Sequence, residues 1–276
     1  MAERIRVGDN PDPVLLAGGS IWVGHYEASG LQRVDPATSK VIARVPLVSP
    51  IDLVDAFGSV WAVELTADRV ARVDPKTNRV VDRIDVGAYP DGIAAGYGSI
   101  WAVNQIDATV SRIDPGSGRV TGTFDVGSTP IHATAAFGSI WVTDIDLDRV
   151  FRLDPDTGAV QARVDTDFVP IHAIETDGSL WVTTYEGGTL QRIDPVTNEV
   201  VASVDVGYGA DGLVAHDGFL YVVTDHADAI VEVDPSGPTV LRSWQLNGQP
   251  HNGAFANGSF WTAGFDDGAL WRLELG

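Results

Sequence analysis

The sequence predicts an all-β fold, a seven-bladed β-propeller of four-stranded blades, and three observations predict it. One short phrase returns seven times, as GSIW at 19–22, GSVW at 58–61, GSIW at 98–101 and 138–141, GSLW at 178–181, GFLY at 218–221 and GSFW at 258–261. A second phrase keeps the same step of about 40 residues, as Asp35-Pro36, Asp74-Pro75, Asp114-Pro115, Asp154-Pro155, Asp194-Pro195 and Asp234-Pro235, with Glu274 at the seventh place. No stretch carries a sustained apolar period of 3.6 residues.

Each unit divides into four short runs rich in Val, Ile, Ala and Thr, separated by turn residues, as residues 130–165 illustrate. The Asp-Pro segment has a turn mechanism. Asp accepts a local backbone hydrogen bond, Pro presets φ at the next position, and the Gly or Asn that follows tolerates a left-handed conformation. Four antiparallel strands in about 40 residues is the arithmetic of a propeller blade. The seventh unit runs out after Trp271 and lacks its fourth strand. Arg4-Ile5-Arg6-Val7-Gly8 matches the fourth-strand phrase Arg83-Ile84-Asp85-Val86-Gly87, so the N-terminal strand is expected to complete the last blade. This closure leaves no unpaired radial edge, and residues 1–276 read as one domain.

Composition narrows the function classes. The chain has 18 basic and 38 acidic side chains, a formal charge of −20 and no cysteine. Disulfides, thiolate metal sites and cysteine nucleophiles are excluded. The negative charge disfavours nucleic acid and anionic membranes as partners and favours cations. No window of about 18 apolar residues occurs. The start MAERIRVGDN lacks the zones of a signal peptide, so the expected location is cytoplasmic, or secreted if a leader was removed. A monomer is expected.

The repeat breaks in a few columns, and a site read by several different side chains requires such divergence. One residue after the proline that opens each unit, Ala210 in the sixth, stand Asp12, Ile51, Asp91, Ile131, Ile171, Asp211 and His251. Two after it stand Pro13, Asp52, Gly92, His132, His172, Gly212 and Asn252. Three after the tryptophan column stand His25, Glu64, Asn104, Asp144, Thr184, Thr224 and Gly264. Propeller topology assigns these columns to the face around the central channel. Five of the six histidines, His25, His132, His172, His226 and His251, map to that face, where imidazole suits proton transfer or metal ligation. His132 and His172 occupy the same place in adjacent blades and form, with Asp52 and Asp91 or Asp144, a candidate site for a divalent metal ion. Such imidazole ligation favours zinc, manganese or iron over magnesium; no organic cofactor is implied. Tyr26, Tyr185, Phe168 and Phe265 are candidates to line the mouth, and the tryptophan column reads as core between blades.

The pattern GS-x-W, then R-[VI]-D-P-x-T-x-x-V, then D-V-G-x-x-P resembles the YVTN-type repeat propellers and the virginiamycin B (streptogramin B) lyases over the whole chain. The lyase resemblance implies cleavage of a C–O bond by elimination, with magnesium polarising an ester and a histidine in a Pro-His phrase as general base. Pro250-His251 matches that phrase, so the resemblance makes His251 the candidate base. Other family positions depart from it. Gln249 stands where the lyases have Glu, Phe265 where they have a second carboxylate, and Ala210-Asp211 where they have a second Pro-His.

The expectation is therefore a small-molecule-binding propeller enzyme, a lyase working by general-base elimination in an acidic, histidine-bearing funnel. His251, His132 and His172 are its catalytic candidates. His25, Tyr26, Glu64, Asn104, Asp144, Tyr185, His226, Asn252 and Phe265 are its substrate-binding candidates. The alternatives are a non-catalytic ligand- or protein-binding or sensor propeller, and a recently amplified repeat with no evolved ligand.

Overall fold

A computed structural model describes residues 2–26 and 29–275, with the Ser29 side chain outside the description. Among the described residues twenty-eight strands form seven antiparallel four-stranded sheets, and one 3-10 turn, Leu65–Ala67, follows the second strand of blade 2. Blade 4 shows the plan: Pro130–Ala136, Ser139–Asp144, Arg149–Leu153 and Val160–Asp165, paired in chain order. The first strands of successive blades pack against one another around the whole ring and wall the central channel. In blade 7 the outermost strand is Ala2–Arg6, paired with Ala269–Leu273, so the chain closes as its terminal sequences indicate.

The repeated phrases explain themselves in this frame. In blade 2, Asp74 accepts from the Lys76 amide at 2.8 Å and from the Thr77 hydroxyl at 2.9 Å, and Asn78 follows with φ of 55°. That is the turn expected of the Asp-Pro phrase. The Trp, Ser and Arg of each unit act together. In blade 4 the Trp141 indole N–H donates to the Ala136 carbonyl at 3.1 Å, and the Arg152 guanidinium sits 4.9 Å from the Trp141 ring. Arg152 also donates to the Ser139 hydroxyl at 2.8 Å and to the Pro195 carbonyl of the next blade at 2.7 Å. Blades 1 to 4 are thus each latched to the next through a half-buried arginine over a buried ring, Arg33, Arg72 and Arg112 donating in the same way to the carbonyls of Pro75, Pro115 and Pro155. Blade 6 replaces all three residues at once: Phe219 for Ser, Tyr221 for Trp and Glu232 for Arg, with Glu232 paired to Arg242. Coordinated replacement is what a three-part unit requires, because the arginine alone would lose both its acceptor and its ring.

Candidate functional site

All seven first strands carry an extra residue just past their opening position. The ladder slips between Pro130 and His132, between Pro170 and Ala173, between Pro250 and Gly253, and at the equivalent place in the other four blades. A bulge of this kind frees side chains from the pleat and re-aims them. The consequence is direct: of the residues lining the cavity at the centre of the ring, all but Tyr26 come from the two positions after the opening residue. They are Asp12, Ile51, Asp52, Asp91, Ile131, His132, Ile171, His172, Asp211, His251 and Asn252, around a volume of about 120 Å³. In blade 3 the second position is Gly92, where a Cβ would stand 2.4 Å from the Ile131 carbonyl oxygen. Close approach of the neighbouring strand leaves room there for Asp91 alone as the polar contribution.

The charged groups form a linked series across the blades. Asp211 contacts two imidazoles, His172 Nδ1 at 3.2 Å through Oδ1 and His251 Nδ1 at 3.3 Å through Oδ2. The His172 contact is an ion-pair approach off the hydrogen-bond line, since His172 Nδ1 has no aligned partner among the described residues. His251 Nδ1 also lies 3.5 Å from Asp12 Oδ1, and its ring stacks on Phe265 at 4.8 Å. His132 packs against His172 with ring centroids 4.6 Å apart, and its buried Nδ1 has no partner among the described residues. Asp52 accepts from the Leu53 and Ile93 amides, both at 2.8 Å. Among the described residues no lysine or arginine lines the cavity.

These surroundings drive the protonation states apart. Burial raises Asp52 to about 6, against the pull of His172 and the two amides. Burial, then the charges of Asp52 and Asp12, raise Asp91 to about 7. Burial lowers His251, but the carboxylates of Asp12 and Asp211 outweigh it and push the imidazole up to about 11. Desolvation of His172 is likewise overcome by Asp211, Asp52 and Asp12, and its net shift is upward. His132 has no such compensation: burial, then the charge of His172, hold it well below its ordinary value, so it is a neutral imidazole. Asp211 would be raised by burial, yet its two imidazoles hold it well below the usual carboxylate range.

The structure places the sequence candidates in three groups. His132, His172, His251, Asp52, Asp91, Tyr26 and Asn252 meet in the cavity. Phe265 reaches it by stacking on His251, and Tyr26 meets Phe265 edge-on at 6.1 Å. The column three after the tryptophan does not reach the channel. His25, Glu64, Asn104 and Asp144 are buried within their blades. Glu64 pairs with Arg69 at 2.6 Å and Arg83 at 3.2 Å. Asn104 accepts from the Gly87 amide and donates to Thr109 and Ser111. Asp144 accepts from the Ser128, Thr129 and Leu147 amides, and His25 Nδ1 meets the Asp9 carbonyl. These groups tie the incoming loop to the second strand. Tyr185 and His226 form a separate cluster with Tyr208 around buried Asp225, to which the Tyr185 hydroxyl donates at 2.6 Å and His226 Nδ1 approaches at 2.9 Å. Phe168 is 64 % exposed.

Asp12 and Asp211 carry more of the site than their columns alone suggested; the signal available was their shared position one after the opening residue. His251 sits where the Pro-His phrase puts it, but flanked by two carboxylates it is an imidazolium at neutral pH, a proton donor rather than a free base. A magnesium ion of the kind the resemblance implies does not fit these residues. Gln249 and Phe265 replace two carboxylates, the oxygens of Asp52 already accept from amides, and those of Asp211 face imidazoles. Among the described residues no three His, Asp or Glu side chains converge as a metal-holding group.

No protein-family model matches the chain, and no curated protein sequence matches it. Among solved structures it is similar to a streptogramin B lyase, with a TM-score of 0.87, 18% identity, and coverage of 99% of this chain and 97% of that one. It is equally similar to a catalytically inactive His-to-Ala variant of virginiamycin B lyase from Staphylococcus aureus with quinupristin, at a TM-score of 0.87, 17% identity, and coverage of 100% and 99%. The hydrazine synthase of Kuenenia stuttgartiensis follows at a TM-score of 0.84, 13% identity, and 95% of each chain. At these identities the likeness establishes the propeller fold, which hosts unrelated chemistries.

Proposed function

We propose that the protein is a small-molecule lyase whose central cavity performs a general acid–base elimination. The observation that carries this reading is the placement of His251 between Asp12 and Asp211 in the same cavity as Asp91. One group is held protonated and another is poised to titrate near neutrality, the pairing that assigns an acid and a base. In the proposed step the Asp91 carboxylate takes a proton from the carbon next to a carbonyl, and that electron pair forms the new C=C bond. The C–O bond to the leaving oxygen breaks, and the oxygen receives the proton of the His251 imidazolium. Exchange with water returns a proton to His251 and removes one from Asp91. The neutral His132 imidazole, with its unpartnered Nδ1, is the natural contact for an uncharged polar group of the substrate, and Asn252 is a second.

The structural likeness to virginiamycin B lyase supports the same reading and supplies a probe. Quinupristin and a panel of simpler lactones, incubated with the protein between pH 5 and 9, separate the outcomes by mass spectrometry. Elimination opens a lactone without change of mass, whereas hydrolysis adds one water. We expect an opened product of unchanged mass, lost in His251→Ala and Asp91→Asn although both variants remain folded at the assay temperature. Absence of any opened product, or a product heavier by water, sinks the lyase reading. A ligand-binding propeller without turnover is favoured by one observation, that both charged imidazoles already have carboxylate partners. Saturable binding of these probes with no product would establish that alternative.

A further inference from the structure

The chain entering each first strand must be anchored, and the ring does this in two ways. In blades 2 and 4 the blade's own second strand supplies the anchor. Glu64 accepts from the Val48 amide at 2.7 Å, and Asp144 accepts from the Ser128 and Thr129 amides at 2.6 and 3.0 Å. Blades 3, 5 and 7 are anchored from the blade before, blade 3 in addition by its own Asn104 and Asp107, which accept from the Gly87 and Ala88 amides at 3.1 and 2.8 Å. Asp68 of blade 2 accepts from the Tyr89 amide at 2.9 Å, immediately ahead of Pro90 and Asp91. Asp148 of blade 4 accepts from the Val169 amide at 2.8 Å, ahead of Pro170 and His172. Asp228 of blade 6 accepts from the Gly248 and Gln249 amides at 3.2 and 2.9 Å, ahead of Pro250 and His251.

The three aspartates occupy one repeat position, the residue before the third strand, in left-handed conformation with φ of 52°, 51° and 51°. The same position holds Ala108 in blade 3, Gly188 in blade 5 and Gly268 in blade 7, while its blade 1 counterpart, Ala28, lies outside the described residues. A left-handed turn favours glycine and tolerates aspartate, so turn chemistry alone does not select aspartate in every second blade. What the aspartate adds is a bond across the seam to the next blade.

Each seam so bonded carries one pair of cavity groups. The seam of blades 2 and 3 carries Asp52 and Asp91, and that of blades 4 and 5 carries His132 and His172, with ring centroids 4.6 Å apart. The seam of blades 6 and 7 carries Asp211 and His251 at 3.3 Å. We propose that Asp68, Asp148 and Asp228 are positioning residues, each setting the separation within one of these three pairs, so that the site is built as three two-blade units. Asp12 of blade 1 then joins the series through its approach to His251, and the units meet where Asp211 approaches His172 at 3.2 Å across the seam of blades 5 and 6. The proposal rests on the cavity being the working site, as proposed above, and its test reads cavity geometry without turnover, so failure of one is distinguishable from failure of the other.

The test is histidine-selective NMR on Asp228→Gly and Asp228→Asn, with the His251 signal identified by its loss in His251→Gln. Glycine is what blades 5 and 7 carry at this position, so the turn itself is retained. Asparagine keeps an oxygen acceptor for the two amides and removes the charge. The groups facing His251 are Asp12, Asp211 and the Phe265 ring, and none of them is altered; Asp228 itself holds the Gly248 and Gln249 amides. We expect the His251 titration midpoint to fall by about one unit or more in the glycine variant, as its contact with Asp211 loosens, and to stay within a few tenths of wild type in the asparagine variant. No shift with glycine, or equal shifts with both, overturns the proposal, the second because it would trace the effect to charge. Should Asp228→Gly fail to fold, Asp148→Gly asks the same question of the stacked imidazoles. Their ring-proton shifts are expected to move, and unchanged shifts overturn the proposal equally.

Discussion

His251 and Asp211 meet across the seam between blades 7 and 6, imidazole Nδ1 to carboxylate Oδ2 at 3.3 Å. This contact sets the pH dependence of stability. His251 is raised from 6.5 to about 11, so its contribution is full below pH 6.5 and drains away as pH rises through 11. Asp211 is lowered from 3.8, so its contribution is present above that value and is lost only in strong acid. Asp52 and Asp91 act with the opposite sign: raised from 3.8 to about 6 and about 7, they add no penalty below 3.8 and a growing one as pH rises to 7. His25 and His132, lowered from 6.5, carry a penalty that grows as pH falls below that value and offsets the relief of Asp52 and Asp91, so stability is expected to peak near pH 6 and to decline steadily on the alkaline side. Denaturant unfolding across pH 4–10 checks this, and an optimum above pH 8 contradicts it.

Asp211→Asn removes the charge that two imidazoles share. Breaking a fully buried ion pair costs about 3–5 kcal/mol, but these imidazoles can shed their protons and His251 keeps Asp12, so about 2 kcal/mol is expected here. The loss should shrink above pH 9, where the wild-type contribution itself is fading. A variant as stable as wild type at pH 6 would show that the series of contacts serves chemistry alone.

The fold was legible because its causes repeat. Seven copies of one turn and one tryptophan are seven observations of the same local physics, and even the strand that closes blade 7 could be matched by column. The site was half legible. Divergent columns pointed to His132, His172, His251, Asp52 and Asp91, which do converge, because the position after each opening residue fixes both the bulge and the direction of the side chain. The column three after tryptophan diverges as well, for another reason. His25, Glu64, Asn104 and Asp144 each anchor a loop of different sequence, and buried anchors vary with what they hold. Divergence alone cannot tell a polar group facing a ligand from one facing its own backbone. Nor does the Pro-His phrase report the protonation of His251, which depends on Asp12, more than two hundred residues away in sequence.

That distinction is testable on the anchors. Asn104→Ala strips the Gly87 amide, Thr109 and Ser111 of a buried partner, and Asp144→Ala does the same to three amides. Each is expected to lose about 1–3 kcal/mol of stability. The His251 titration and ligand affinity of the folded fraction should be unchanged. A variant of normal stability with weakened binding would place that residue in the working site after all.

The indole N–H groups of the tryptophan column provide a comparison inside one molecule. Trp141 donates to the Ala136 carbonyl at 3.1 Å, while the Trp181 N–H is buried without an acceptor among the described residues. Both rings are essentially fully buried, and both lie beneath an arginine, Arg152 at 4.9 Å and Arg192 at 5.9 Å. Replacing either by phenylalanine removes similar volume, so the packing loss is close to common. Trp141→Phe also strands the Ala136 carbonyl, whereas Trp181→Phe removes a donor that was already unmatched. The first should therefore cost about 1 kcal/mol more than the second. Thermal unfolding of the two variants side by side decides it, and equal losses would mean that Trp181 finds an acceptor in solution.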